Sequence, residues 1–414
     1  MTSVVVLSLG VAGALLFTIS ARGLISSDGS AAGKLLVLTL VLHSALSETY
    51  LGSNASIRAA VGIIAISLGV LGVAAARSSG PAKEAVLSVG WIFAALAFYV
   101  ISVNVFQAQD ASTVQVLGRI LPGLVWLILL IAAWQRIVTT AVLSWAVLIT
   151  FSVTAAGAML SPNAWRSCSQ FKCSEFGLLL GGVFDSENSF ARMASLAVVA
   201  AMVIANRSIL CVVVPMAVLV LVASESRTSQ AALAGAIIGG YAMWKLVAQT
   251  RFGPGPLALL AVTFVLGVGT YIVYASDPAD FSNRGGIWMR GRFAASEHMI
   301  FGSGIDNWTT DVLDRNYMHS QALLLLYSAG VIGLLLYALL CAVALRTTLS
   351  ASTPAPSMFL LLIILTGVLE VSVNPAALDG TSIAVIALLV LGSSRRGSRG
   401  WAQDAGKPED ARAG

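Results

Sequence analysis

The sequence predicts an all-α, polytopic membrane protein: a bundle of about twelve or thirteen transmembrane helices with one long polar segment late in the chain. Three observations predict it. Of 414 residues, 57% are hydrophobic and 10% charged, and the mean hydropathy is +0.89. A water-soluble fold of this length has no interior able to hide that much apolar surface. The apolar residues fall in runs close to the ~20 residues that a helix needs to cross the hydrocarbon core. Lastly, the charges collect in the gaps between runs, above all in the segment from Ser276 to Met318.

Taken in order, the first span, 3–20, has no basic flank before it and no small-residue cleavage site leading to a soluble domain. It is expected to stay as a helix rather than to be removed as a signal peptide. Spans follow at 35–51, 59–76, 85–106, 117–134 and 138–160. Only Trp134 to Ile137 separate the last two, which is why the count is twelve or thirteen. His43 lies mid-span and is read as a packing residue. Spans at 190–205, 208–224, 229–247 and 256–275 come next, and the run Gly235-Ala236-Ile237-Ile238-Gly239 is read as a close helix contact. The last spans are 319–345, 357–373 and 380–392. No period of 20–50 residues recurs, and no matched halves with broken helices mark an alternating-access transporter.

Basic residues set the orientation. The tail carries Arg395, Arg396, Arg399, Lys407 and Arg412, so it is expected to be cytoplasmic, and disordered from about Ser393. Counting back, the loops with Arg22 and Lys34, Arg77 and Lys83, Arg136, Arg207, Lys245 and Arg251, and Arg346 fall on the same side. With the tail they hold more than half of the 24 Lys and Arg residues. Thirteen spans put the N-terminus outside, and twelve put it inside. The net charge of +5 comes largely from the tail, a solvated run attracted to anionic lipid, and gives no reason to expect nucleic acid.

Three segments then share the outer side: 161–189, the turn Ser224 to Gln230, and 276–318. Long polar insertions in a compact membrane protein tend to be functional. The first contains Cys168 and Cys173, where an oxidising compartment permits a disulfide. Their spacing closes a small ring without requiring one, and no nearby Cys or His pair completes a tetrahedral metal site. Cys211 and Cys341 sit in apolar spans and are read as packing residues.

Arginine on the outer side runs against the usual bias. Arg227 opens the span 229–247 among Ser224, Ser226, Thr228 and Ser229, and a helix start with hydroxyls around a guanidinium suits a phosphate. The plain alternative is a snorkelling anchor. In 276–318, Arg284, Arg290, Arg292 and Arg315 crowd one segment, which points to a phosphate-bearing lipid at the membrane surface. A helix starting near Gly286 places Trp288 in the interface and turns Arg292 inward one turn later. Arg290 and Arg315 are read as solvated. Arginine forks grip phosphate oxygens in pairs, which suits a diphosphate.

His319 begins its span at the outer face. Histidine is the side chain whose ordinary pKa leaves a neutral imidazole able to take a proton near physiological pH, although lone histidines are more often structural. His298 is the weaker candidate. Glu48, Glu225 and Glu370 lie near outer helix ends, where they would orient the arginines or serve as an alternative base. No paired aspartates suggest a metal, so the chemistry is expected to need neither metal nor cofactor.

These residues resemble the O-antigen ligase and polymerase superfamily of membrane glycosyltransferases. Ser226-Arg227-Thr228 is similar to the family's Ser-Arg-Thr at an outer helix end. Arg284, Ile287-Trp288 and Phe301-Gly302-Ser303-Gly304 resemble its Arg…Trp…Phe-Gly-x-Gly stretch, with Met299 where proline is usual. Met318-His319-Ser320 followed by Gly330-Val331-Ile332-Gly333 is similar to its His-(Asn/Ser)…Gly-x-x-Gly element. Gly182 to Asn188 echoes a Gly-Leu-Phe-x-Asn-Pro-Asn run but lacks the Asn-Pro. The likeness covers about 183–345.

The resemblance implies a fold of the GT-C type and divides the chain into a transmembrane region, 1–182, a ligase-like core, 183–345, terminal helices, 346–393, and the tail, 394–414. It implies glycan transfer from a polyprenyl (undecaprenyl) diphosphate donor to a glycan, glycolipid or other acceptor on the outer face of the cytoplasmic membrane. Arg227, Arg284 and Arg292 would bind the donor diphosphate, with His319 as the catalytic residue. A polymerase joining lipid-linked repeat units fits the same residues. A transporter or flippase for lipid-linked or anionic cargo is the alternative of another class; it should carry charges mid-membrane on several helices, whereas here they gather at one face.

Overall fold

The computed structural model describes residues 2–27, 31–47, 139–250, 252–304 and 319–369, with single positions between 92 and 103 and between 387 and 391. Ten helices and one two-stranded hairpin lie among them. In chain order they are α1 (Thr2–Ser26), α2 (Ala31–Ser47), α3 (Thr140–Gly157), β1 (Trp165–Ser167), β2 (Leu178–Leu180), α4 (Glu187–Ile204), α5 (Arg207–Ser224), α6 (Arg227–Gln249), α7 (Pro254–Ala275), α8 (Asp280–Glu297), α9 (Gln321–Leu349) and α10 (Ala355–Leu369). Seven of these helices are long and apolar enough to cross a membrane: α1, α3, α4, α5, α6, α7 and α9. The chain is therefore a mostly helical, multi-pass membrane protein. The expected spans at 59–76 and 117–134, and most of those at 85–106 and 380–392, lie outside the described residues.

The helix ends follow local chemistry. Thr139 caps α3 by accepting from the Val142 amide at 3.3 Å. The Asn206 carboxamide accepts from Ser208 and Ile209 at the start of α5. Left-handed residues end two helices, Ala205 after α4 and Glu225 after α5, so only two residues link each helix to the next. Within α3 the hydroxyls of Ser144, Thr150, Ser152 and Thr154 bond back to carbonyls four residues earlier. Polar groups in a low-dielectric layer must be satisfied within the protein, and this is the cheapest way to do it.

α3 lies against α1, α2 and α4, while α10 lies against α6, α4, α7 and α9. Small residues make the α6–α10 contact close, as expected for 235–239. A Cβ on Gly235 would reach Leu365 at 3.0 Å and one on Gly239 would reach Leu361 at 3.1 Å. The outward faces of α6 and α7 keep Ile238, Leu260, Phe264 and Tyr271 exposed, as a lipid-facing surface would. A separate small core of Val273, Trp288, Ala294, Ala295, Leu323, Leu324, Leu326 and Tyr327 joins α7, α8 and the first part of α9.

Two features differ from the sequence reading. The helix expected from near Gly286 starts earlier: from Asp280 to Glu297 the chain is helical and packed on α9 and α7. In addition, the long apolar run of α9 is broken at Gly330, whose φ of 64° and ψ of −168° are not helical. The break is stitched by the segment after α8. Ser303 and Gly304 amides donate to the carbonyls of Tyr327 (2.7 Å) and Ser328 (3.2 Å). The Val331 and Ile332 amides donate to Met299 (2.9 Å) and Ile300 (3.5 Å). Every group named here that the break frees from the helix is thus paired, which a membrane-depth break demands.

The two backbones approach so closely that Gly302 and Gly330 have no room for a side chain. A Cβ on Gly330 would collide with the Ile300 carbonyl, and one on Gly302 with the Ser328–Ala329 peptide. Gly330→Ala is expected to lower the thermal unfolding midpoint in detergent, its backbone term alone costing about 1–3 kcal/mol. Gly267→Ala, in a helix interior with nothing within 4 Å of the added carbon, should be neutral or slightly stabilising.

Candidate functional site

The site is built at the end of the bundle where α5 turns into α6. Glu225, in the left-handed region at φ 49°, reverses the chain, and Ser226 begins α6 with its hydroxyl 3.0 Å from that of Ser229. The reversal leaves Arg227 projecting from the first turn, its side chain 80% exposed. One Nη2 donates to Glu225 Oε1 at 2.9 Å. An exposed ion pair of this kind adds little stability; its effect is to aim the guanidinium, with other N–H donors left over for a ligand. The second oxygen of Glu225 accepts the Cys173 amide at 2.6 Å. One carboxylate therefore ties the α5–α6 turn to the segment 161–189.

That segment is tightly organised. Trp165, Arg166 and Ser167 pair antiparallel with Leu180, Leu179 and Leu178. Cys168 and Cys173 are joined by a disulfide, the option the spacing left open, with Cα atoms 4.7 Å apart. Inside the ring, Ser169 and Lys172 exchange backbone hydrogen bonds of 3.0 and 3.3 Å. Lys172 Nζ donates to Glu187 Oε1 at 3.0 Å and to Asn188 Oδ1 at 2.9 Å. Arg166 lies 3.5 Å from Glu187 and donates to the carbonyls of Phe184 and Asp185. The 182–188 run is thus pinned from both sides, with Phe184 stacked on Phe190.

α8 supplies the next residues. It begins at Asp280 rather than near Gly286, and Trp288 is not at an interface. It is fully buried, 5.3 Å from the Phe281 ring, and forms the centre of the small core against α9. Arg284 is half-buried one turn earlier, and its charge acts on Lys172. Arg292 is committed elsewhere: it donates to the Tyr274 carbonyl at the end of α7 and lies 5.6 Å over the Tyr274 ring. The structure gives it the last turn of α7 to hold. Arg290 is exposed, as a solvated residue should be.

His319 precedes the broken helix. Its φ of 49° is left-handed, uncommon for a residue with a side chain. Ser320 follows as the buried N-cap of α9. Backbone strain of this kind is kept where the surroundings enforce it, commonly at functional sites. His319 is half-buried, while His298, after the last turn of α8, is exposed. Glu48, Glu370, Arg315 and the His43 side chain lie outside the described residues.

Two of the three segments therefore meet: 161–189 touches 224–230 through the bond from the Cys173 amide to Glu225. Lys172 is the residue that sequence reasoning passed over. Its one signal was a lysine on the side where lysine is disfavoured, between two cysteines. Burial lowers its pKa below the ordinary lysine value; Glu187 and Glu225 oppose this, and Arg284 adds to it. No family model, curated protein or solved structure matches the chain.

Proposed function

We propose that the protein is a membrane glycosyltransferase of the O-antigen ligase type. It would transfer a glycan from a polyprenyl diphosphate to an acceptor hydroxyl, at the outer face of the cytoplasmic membrane. The observation that carries this reading is Arg227, aimed by Glu225 in a turn that the same carboxylate ties to the disulfide-closed segment. His319 opens the helix against which α8 is packed. A helix break at Gly330 and a left-handed histidine before the same helix support a built site rather than a solvated face.

The chemistry follows from the groups. The acceptor oxygen attacks the anomeric carbon, its bond to that carbon forming as the bond from carbon to the diphosphate oxygen breaks. The leaving oxygen keeps the electron pair, and the arginines stabilise the charge that grows there. The acceptor proton passes to His319. Attack opposite the leaving group inverts the anomeric centre. Because the charged side chains of the membrane-length helices lie near helix ends, the arrangement favours an interfacial enzyme over a carrier with charges at mid-membrane.

A deletion strain tests this. Completed lipid-linked chains that are never attached to an acceptor are the expected result. Accumulated single lipid-linked units would instead make the protein a polymerase of the same chemistry. Unchanged lipid-linked glycans would overturn the reading.

A further inference from the structure

We propose that the turn Met299-Ile300-Phe301, which the sequence reading puts in a polar external segment, dips into the adjacent leaflet of the bilayer and is seated among lipid acyl chains. Depth is the first ground. α9 has 29 residues, which rise about 43 Å at about 1.5 Å each, whereas the hydrocarbon layer is about 30 Å thick. Arg346 is exposed in the last turn of α9 and belongs at one membrane edge. About 20 residues back along the helix, the other edge falls near Leu326 and Tyr327. The Met299 and Ile300 carbonyls accept from the Val331 and Ile332 amides, which sets them roughly 6–8 Å inside that edge. Ser303 and Gly304 are bonded to Tyr327 and Ser328 and so have climbed back to it. The chain enters, turns and leaves on one side. Tyr271 and Tyr274, exposed in the last turns of α7, mark the same edge as interfacial aromatics do, and Arg292 ties α8 to it through the Tyr274 carbonyl.

The backbone gives a second, independent ground. All three carbonyls at the tip are paired inside the protein: those of Met299 and Ile300 with α9, and that of Phe301 with the Tyr99 hydroxyl, which donates at 3.2 Å. The Gly302 amide donates to the His298 carbonyl at 2.7 Å. A turn in water can leave such groups to solvent, whereas a turn in hydrocarbon has to pair them within the protein. The side chains complete the pattern. Met299, Ile300 and Phe301 are each more than half exposed, while Gly302, Ser303 and Gly304 are buried against the helix. Three consecutive apolar side chains at the tip of a turn whose backbone is satisfied fit lipid, and their exposure at that depth leaves acyl chains as the occupant.

Spin-label accessibility of the full chain in phosphatidylcholine nanodiscs tests this, and no outcome bears on the glycosyltransferase reading, which the deletion strain decides. Cys211→Ala and Cys341→Ala remove the two free thiols. A nitroxide is then placed by Ile300→Cys and, for comparison, by Ile238→Cys on the exposed face of α6 and Arg290→Cys on the exposed face of α8. At each position the collision rate with oxygen, which concentrates in hydrocarbon, is divided by that with a water-soluble nickel chelate. The ratio at 300 should be close to that at 238 and several-fold above that at 290. Phe301→Cys repeats the measurement one residue on, so a fault peculiar to one variant does not decide the result. A ratio at 300 and 301 equal to that at 290 would put the turn in water. Few collisions with either reagent would mean that protein covers it. Either result would overturn the proposal.

Discussion

Replacing His319 by alanine should reduce turnover by about 10²–10⁴-fold, the usual contribution of a general base, while donor binding is largely kept. The leaving group is already good, so the task left to the protein on the acceptor side is to take the hydroxyl proton and direct the attack. His319 is a left-handed residue immediately before the Ser320 cap of α9. His298→Ala, which alters an exposed residue beyond the end of α8, should change turnover little. The measurement is release of polyprenyl diphosphate by purified protein given a glycan donor and acceptor. Normal turnover by His319→Ala would move the base to Glu225, Glu48 or Glu370. Lost donor binding would instead put the imidazole on the diphosphate.

Arg227→Lys and Arg284→Lys should each lower kcat/KM by about 10–100-fold, as expected for losing part of a charge-assisted, two-pronged contact. Lysine at 227 can still pair with Glu225 and preserve the charge of the turn. It has no second planar N–H edge to hold a phosphate while that pairing persists. At 284 the charge would also stay, and with it the repulsion toward Lys172, but the fork would go. Arg290→Lys, on the exposed face of α8, serves as the comparison and should be nearly silent. Equal, mild effects at all three positions would mean that charge alone matters.

The spans were legible because lipid imposes a length and composition on whatever crosses it. The turn at Ser226-Arg227-Thr228 was legible as a break between two apolar runs, and the structure places the α5–α6 reversal there. Helix α8 was not. Its sequence holds Gly285, Gly286 and several charges, and its apolar contacts (Phe281, Trp288, Ala294 and Ala295) are too sparse to announce a face. Packing on α9 makes it a helix against its local propensity, and the same packing draws Trp288 out of the interface. The break at Gly330 was hidden for the opposite reason. It sits in a continuous apolar run, and hydropathy does not register a backbone torsion. Arg292 shows the limit of counting charges. A guanidinium at a helix end has carbonyls of its own to satisfy, and only the fold tells which partner it takes. Lys172 became visible once a disulfide and two hydrogen bonds had placed it.

The reciprocal amide bonds between 299–304 and 327–332 make α8 and the first turns of α9 one cooperative folding unit. The bonds run both ways across one short seam, so they are expected to open together. On the proposed function, the seam would hold α8 against the first turns of α9, and glycan bulk would have to be accommodated elsewhere. The freedom to admit glycans of different bulk would then fall to the hairpin and its disulfide ring, which move as one piece tied to the α5–α6 turn by the bond from the Cys173 amide to Glu225. Slow, concerted exchange of the Ser303, Gly304, Val331 and Ile332 amides would be the signature of this rigid jaw facing a compliant one.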